Sequence, residues 1–191
     1  MKHLAPILIL LLTLTACGQP ASAPADVERI PIAQGQARGH DPLASPDTAN
    51  ASWSVDENGK VIHFGNEGVD KPFLSLDCLI GEDAPRLAII RHASALPGQE
   101  ALFPIYGNGV RSRFLADATL RDGEWRWEAV LAADDTQLDV FLGARGLTAT
   151  LPGKGTLAIA GSRLPGQFID WCRSGGRLAQ VVEEEQADPA N

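Results

Sequence analysis

The chain has 191 residues, 16 of them Lys or Arg and 24 Asp or Glu, with a net charge of −8 and 45% hydrophobic content. That length suits one domain around one core, and the acidic balance offers no basic footprint for nucleic acid and no polybasic patch for anionic headgroups. Phosphate-cradling glycine loops, dinucleotide fingerprints, His-Glu-x-x-His zinc helices and Gly-x-Ser-x-Gly elbows are absent from the sequence.

Lys2 opens the chain with a positive charge, residues 4–14 form a short apolar run, and Leu14-Thr15-Ala16 brings small residues up to Cys17. The run is too short to span a bilayer and has the layout of a signal peptide. It resembles the signal of bacterial lipoproteins, whose lipobox reads Leu, a small or polar residue, a small residue, Cys. The resemblance implies cleavage before Cys17, lipidation of its sulfur and acylation of its new amino group. Several acyl chains, each contributing about 0.8 kcal/mol per buried methylene, would anchor the protein to a membrane. Gly18, standing where enteric lipoproteins retained in the inner membrane carry Asp, implies the outer membrane, with the protein facing the periplasm. A simple secretory signal, with Cys17 in a disulfide, is the alternative reading.

Removing residues 1–16 leaves 15 basic and 24 acidic residues, a net charge of −9. Residues 17–50 hold the lipidated cysteine and a segment rich in Ala, Pro, Gly, Ser and Asp, which reads as a flexible tether. Residues 51–178 are the β-rich domain, and the acidic end 179–191 reads as a solvated, disordered tail. With Cys17 lipidated, Cys78 and Cys172 remain as one pair, and an oxidising compartment predicts a disulfide between them. Two buried free thiols are the other reading.

Within the domain, alternating apolar and polar residues punctuated by turns predict half-buried antiparallel strands. Ser52–Asp56 and Lys60–Gly65 are joined at Asn58-Gly59, and Phe73–Ile80, Arg86–His92 and Ala101–Tyr106 follow. A second Asn-Gly turn stands at Asn108-Gly109. In "RSRFLADATLRDGEWRWEAVLA" a two-residue turn at Asp122-Gly123 sets Arg121 opposite Glu124, Leu120 opposite Trp125, Ala118 opposite Trp127 and Asp117 opposite Glu128. Trp125 and Trp127 then share an apolar face with Ala116, Ala129, Phe114 and Leu131. Asp117 and Glu128 form a like-charge pair facing solvent, costly unless Arg126, Arg113 or a cation bridges it. Asp134 or Asp135 caps a short helix burying Leu138, Phe141 and Leu142 up to Gly143. Two strands flank Pro152-Gly153, and Pro165 opens a last helix that carries Phe168, Ile169, Trp171 and Cys172. The expected fold is mainly β (α+β): an antiparallel sandwich or open barrel with two short helices. Phe64-Gly65, the "LSLDC" run and the late Cys-bearing helix are similar to short envelope proteins of bacteria, a likeness that supplies no functional residue.

His63 and His92 lie on strands that can be neighbours, but a zinc site needs three or four ligands and spacing signals no third. Ser94 and Ser162 read as turn residues, and His40 falls in the tether. Trp53 and Tyr106 are candidates for an exposed aromatic patch, and Arg111 and Arg113 for a grip on an anionic group. No catalytic residue, metal ligand or cofactor is implied. The expected function is a tethered binding or scaffolding module of the cell envelope, partnered by the membrane through its lipid and by an envelope protein. A small periplasmic hydrolase or metal-dependent enzyme, its histidines united by the fold, is the alternative.

Overall fold

A computed structural model describes residues 42–69, 71–81 and 83–177. The signal segment, Cys17, His40, most of the expected tether and the acidic tail lie outside the described residues. In chain order the elements are β1 (Ala51–Val55), β2 (Val61–Asn66), β3 (Leu74–Leu79), β4 (Arg86–Arg91), β5 (Glu100–Gly107), β6 (Val110–Arg121) and β7 (Glu124–Ala132). A 3₁₀ turn (Thr136–Phe141), β8 (Leu147–Thr150), β9 (Thr156–Ile159) and α1 (Leu164–Arg173) complete them. The strands form one antiparallel sheet in the order β1-β2-β3-β4-β7-β6-β5-β8-β9.

Strand periodicity puts alternate residues on one face, and that face is the core. Ile62 and Phe64 of β2, Leu74 and Leu76 of β3, Ile105 of β5, Phe114 of β6 and Leu157 of β9 are at most 2% exposed. One ten-residue helix and a six-residue 3₁₀ turn are too small to cover nine strands. The sheet therefore curls until its inner face covers itself, and the fold is a nearly closed, mainly β structure with two short helices, as the alternation predicts.

The turns set the registers. Asn108 and Gly109 have φ of 52° and 81°, and Asp122 and Gly123 have 51° and 80°. Both pairs take the left-handed conformation that a two-residue hairpin turn demands. The β6/β7 ladder has the expected pairs, from Arg121↔Glu124 to Asp117↔Glu128. The β1/β2 register is also centred on Asn58-Gly59, but the turn differs. Asp56 closes it, accepting from Gly59 N at 3.1 Å through its carbonyl and from Val61 N at 3.1 Å through its carboxylate, and only Gly59 is left-handed.

Three expectations are corrected. The first helix is a 3₁₀ turn: Asp135 caps it, accepting from Gln137 N at 2.8 Å, and Val140 is buried where Leu142, 40% exposed, was expected. The tighter winding repeats every third residue, so Leu138 and Phe141 share a face that Leu142 leaves. Leu120, expected on the apolar face, is 54% exposed at the hairpin tip, while Trp125 opposite it packs partly buried against the core. Glu128 does not face solvent. It is 6% exposed, with the Arg121 guanidinium bonded to its carboxylate. Arg121, where Arg126 or Arg113 was expected, is the partner of Glu128: it bonds that carboxylate through two nitrogens and reaches Asp77 at 3.3 Å. Burial raises the Asp77 carboxyl above its usual range, with Arg121 opposing that rise.

Cys78 on β3 and Cys172 on α1 are joined at disulfide distance, their Cα atoms 5.7 Å apart. Arg173 adds bonds from the same helix to Ala133 O at 2.9 Å and Asp139 at 3.0 Å. Residues 42–50, at the end of the expected tether, lie along the domain. Leu43 N donates to Gly153 O at 3.0 Å, Ser45 Oγ accepts from Thr156 N at 3.0 Å, and Asp47 O accepts from Asn66 Nδ2 at 3.3 Å. Gly155 admits this strap: a Cβ there would sit 2.8 Å from Ser45 Cα.

Candidate functional site

Register places Ser54, His63, Ser75, Ile90 and Glu128 in one row across the outer face of β1, β2, β3, β4 and β7. Ser52 and Gly65 pair in the next row. His92 directly follows β4, its N–H donating to Phe73 O at 3.0 Å. Gly65 leaves room for the returning chain, since a Cβ there would lie 3.0 Å from Pro72 Cα. Of these, Ser52, Ser54, His63, Gly65, Pro72 and His92 border a cleft of about 710 Å³, whose polar walls also include Asn66, Glu67, Lys71 and Arg126.

At its base the two imidazoles are linked by a hydroxyl. Ser75 Oγ lies 2.8 Å from His63 Nδ1 and 2.6 Å from His92 Nε2. Ser75 is 1% exposed and sits behind the rings, so the histidines meet the cleft and the hydroxyl does not. A hydroxyl donates one proton and accepts others, so Ser75 donates to one ring and accepts from the other. With both rings neutral, one of His63 Nε2 and His92 Nδ1 carries a proton and the other is bare. The pair shows the cleft one donor and one acceptor.

A smaller cleft of about 330 Å³ adjoins the first and shares Lys71, His92 and Arg126 with it, adding Ser94, Glu124 and Trp125. Glu124 ties the shared cations together, pairing with Lys71 Nζ and lying 3.6 Å from Arg126, which also meets Asp122 at 3.6 Å. The Lys71 contact holds the Glu124 carboxyl below its ordinary range. Behind the site Arg91 is 4% exposed, with Nη1 donating to Phe73 O at 2.8 Å. Burial brings its pKa down to about 10, and it stays a cation at neutral pH.

Burial, then the charges of Arg126, His63 and Arg91, lower the His92 pKa to about 4, against a small opposing pull from Glu124. A histidine held neutral in the fold binds fewer protons than in the unfolded chain, where its pKa is 6.5. Its contribution to stability is therefore full above about pH 6.5 and is lost progressively as pH falls toward about 4. Acidification through that window is expected to cost about 2–3 kcal/mol from this ring. Urea midpoints measured across the window should fall less in His92→Gln than in the parent, and parallel curves would contradict the assignment.

The other sequence candidates are dispersed. Trp53 is partly buried against Phe64, ring centres 5.4 Å apart, so it packs on the core and offers no exposed patch. Tyr106, 40% exposed, pairs with Arg111, and Arg113 pairs with Pro104, on strands β5 and β6 away from the cleft. Trp127 is 4% exposed and belongs to the core. Ser162 Oγ accepts from Leu164 N at 3.1 Å, and Ser94 Oγ from Lys154 Nζ at 3.3 Å. Among the described residues no group of three His, Cys, Asp or Glu side chains is arranged to hold a metal ion, and no helix is long and apolar enough to cross a membrane. Ser75, Lys71 and Arg126 are the site residues that the sequence reading passes over. No protein-family model, curated protein or solved structure matches this chain.

Proposed function

We propose that this chain is a lipid-anchored binding module of the bacterial cell envelope, held through Cys17 and facing the periplasm, with its ligand seated in the cleft over His63 and His92. The lipobox residues Leu14 to Cys17 support the address, and Gly18 favours the outer membrane. The observation that carries the binding role is the cleft itself: about 710 Å³, polar-walled, with two imidazoles turned toward it. Small-molecule sites are typically clefts of about 300–1,000 Å³ in which a few convergent polar groups orient the ligand. Ser75, the hydroxyl bonded to both histidines, is poorly placed as a hydrolytic nucleophile, since it is 1% exposed behind the rings.

Photo-crosslinking in intact cells tests the reading, with the reactive group introduced at Ser52 on the cleft lip. One envelope component is expected to be captured by the full-length chain, lost in Cys17→Ala, and lost again when Ser54→Trp fills the cleft in the lipidated protein. Capture unaffected by Ser54→Trp would refute the cleft as the binding site. Ester turnover by purified protein, abolished in Ser75→Ala, would replace the binding role with the hydrolytic one.

A further inference from the structure

We infer that the cleft takes an oxyanion, a carboxylate or phosphate group, gripped by Lys71, Arg126 and the outward nitrogens of His63 and His92, and that it binds together with one proton. The inference rests on the cleft being the ligand site and specifies what enters it. Three features of the molecule carry it.

First, Lys71, His92 and Arg126 line both clefts, so a ligand lying across the two passes over them. They come from the β2–β3 connection, the end of β4 and β7, and the sheet brings them together. Second, these cations already bind a carboxylate, that of Glu124, which pairs with Lys71 and lies 3.6 Å from Arg126. Glu124, on the adjoining cleft, competes for the same two cations and is exposed enough to swing away when a better-placed anion arrives. Third, the His63–Ser75–His92 chain responds to a proton in a way that a lone imidazole does not.

When either ring gains a proton, its inner nitrogen must donate to Ser75 Oγ. Ser75 then donates to the inner nitrogen of the other ring, whose remaining proton must sit on its outward nitrogen. Whichever ring is protonated, His63 Nε2 and His92 Nδ1 both become N–H donors. One proton thus converts a donor–acceptor pair into two donors and adds a positive charge, the complement of an oxyanion. The surrounding charges make that proton conditional on the ligand. Arg126 on β7, Lys71 on the β2–β3 connection and Arg91 at the end of β4 oppose it, Ser52 and Ser54 on β1 are neutral, and Glu67, Asp122 and Glu124 favour it weakly from exposed positions. An anion bound among these groups tips the balance toward uptake.

Sulfate is the first probe because its charge is constant between about pH 6 and pH 8, the window in which histidines ordinarily titrate. Titrated into the full-length Cys17→Ala chain, it should bind saturably, with both outward ring nitrogens appearing as N–H in imidazole ¹⁵N spectra. Its affinity should fall by up to about tenfold per pH unit across that range, the limit set by uptake of one proton. Arg126→Gln should weaken binding by about tenfold or more, the loss of a charge-assisted contact. Glu124→Gln, which removes the internal competitor, should tighten it. Tightening in that variant keeps the test decisive should Arg126→Gln fold poorly.

Glucuronate and phosphatidylglycerol vesicles separate the sources of the oxyanion. Tighter binding of glucuronate than of sulfate assigns a sugar acid, and binding to these vesicles but not to neutral ones assigns a lipid headgroup. Absence of saturable sulfate binding, or affinity that is independent of pH and unchanged in Glu124→Gln, overturns the inference. If crosslinking from Ser52 still depends on Ser54 in that case, the cleft stands as a binding site and only its oxyanion chemistry falls.

Discussion

Replacing Cys78 and Cys172 together by alanine is expected to lower the stability of the domain by about 4–5 kcal/mol, the chain-entropy cost of releasing a loop of roughly this length. The two cysteines are 94 residues apart in sequence, so the crosslink constrains most of the unfolded domain. A loss of that size is a large part of the roughly 5–15 kcal/mol that holds a typical domain folded. Both sulfurs are buried, Cys78 at 3% and Cys172 at 0% exposure, and the alanine pair also leaves a small void. Reduction of the parent separates the two effects, since it breaks the crosslink and keeps the atoms. Urea unfolding of the oxidised parent, the reduced parent and the double variant should place the last two close together and far below the first. A loss under about 1 kcal/mol on reduction would mean that the docking of α1 by Phe168, Ile169 and Arg173 constrains the chain without the bridge.

The second large effect is expected at Arg121. Its guanidinium is the bonded partner of Glu128, whose side chain is 6% exposed, and it also reaches Asp77. Arg121→Met removes the cation while leaving the carboxylate buried. Breaking a buried pair in this way costs about 3–5 kcal/mol, chiefly from the stranded charge. Glu128→Gln in the same chain takes away that charge and should recover a large part of the loss, giving a coupling energy above about 1 kcal/mol in a double-mutant cycle. Additive losses would show that water reaches Glu128 and screens it. Asp77 adds a signature of its own: with its carboxyl already raised by burial, removing the opposing Arg121 should raise it further, visible in a carboxyl ¹³C titration.

The two cases illustrate what the residues disclose locally and what they do not. Asp122-Gly123 fixed the β6/β7 ladder to the residue because a two-residue turn permits one register. That register put Glu128 opposite Asp117, but burial of the outer face depends on how the sheet curls, which no strand pattern encodes. The disulfide pairing is legible through the lipobox resemblance, which sets Cys17 aside and leaves two cysteines. The histidine pair is the harder case. His63 and His92 are visible as strand residues, yet their link is Ser75, and its place opposite His63 depends on the β2/β3 register. The connection between those strands carries no two-residue turn signal, so neither the register nor the shared hydroxyl could be read from the residues. Lys71 and Arg126 gain meaning only when β2, β4 and β7 come together. Trp53 packs against Phe64 of the neighbouring strand, a cover that its own strand pattern does not disclose.

The strap at residues 42–50 bears on how molecules of this protein meet one another. An open sheet ends in two rows of backbone groups, and such rows recruit strands from other chains. Here the terminal strands are short, five residues in β1 and four in β9. Leu43 and Ser45 already occupy backbone groups at the β8–β9 end, while Asp47 reaches across to β2. The chain thus spends part of the bonding capacity at the β9 end on its own residues 42–50, leaving less of that edge for a strand of another molecule.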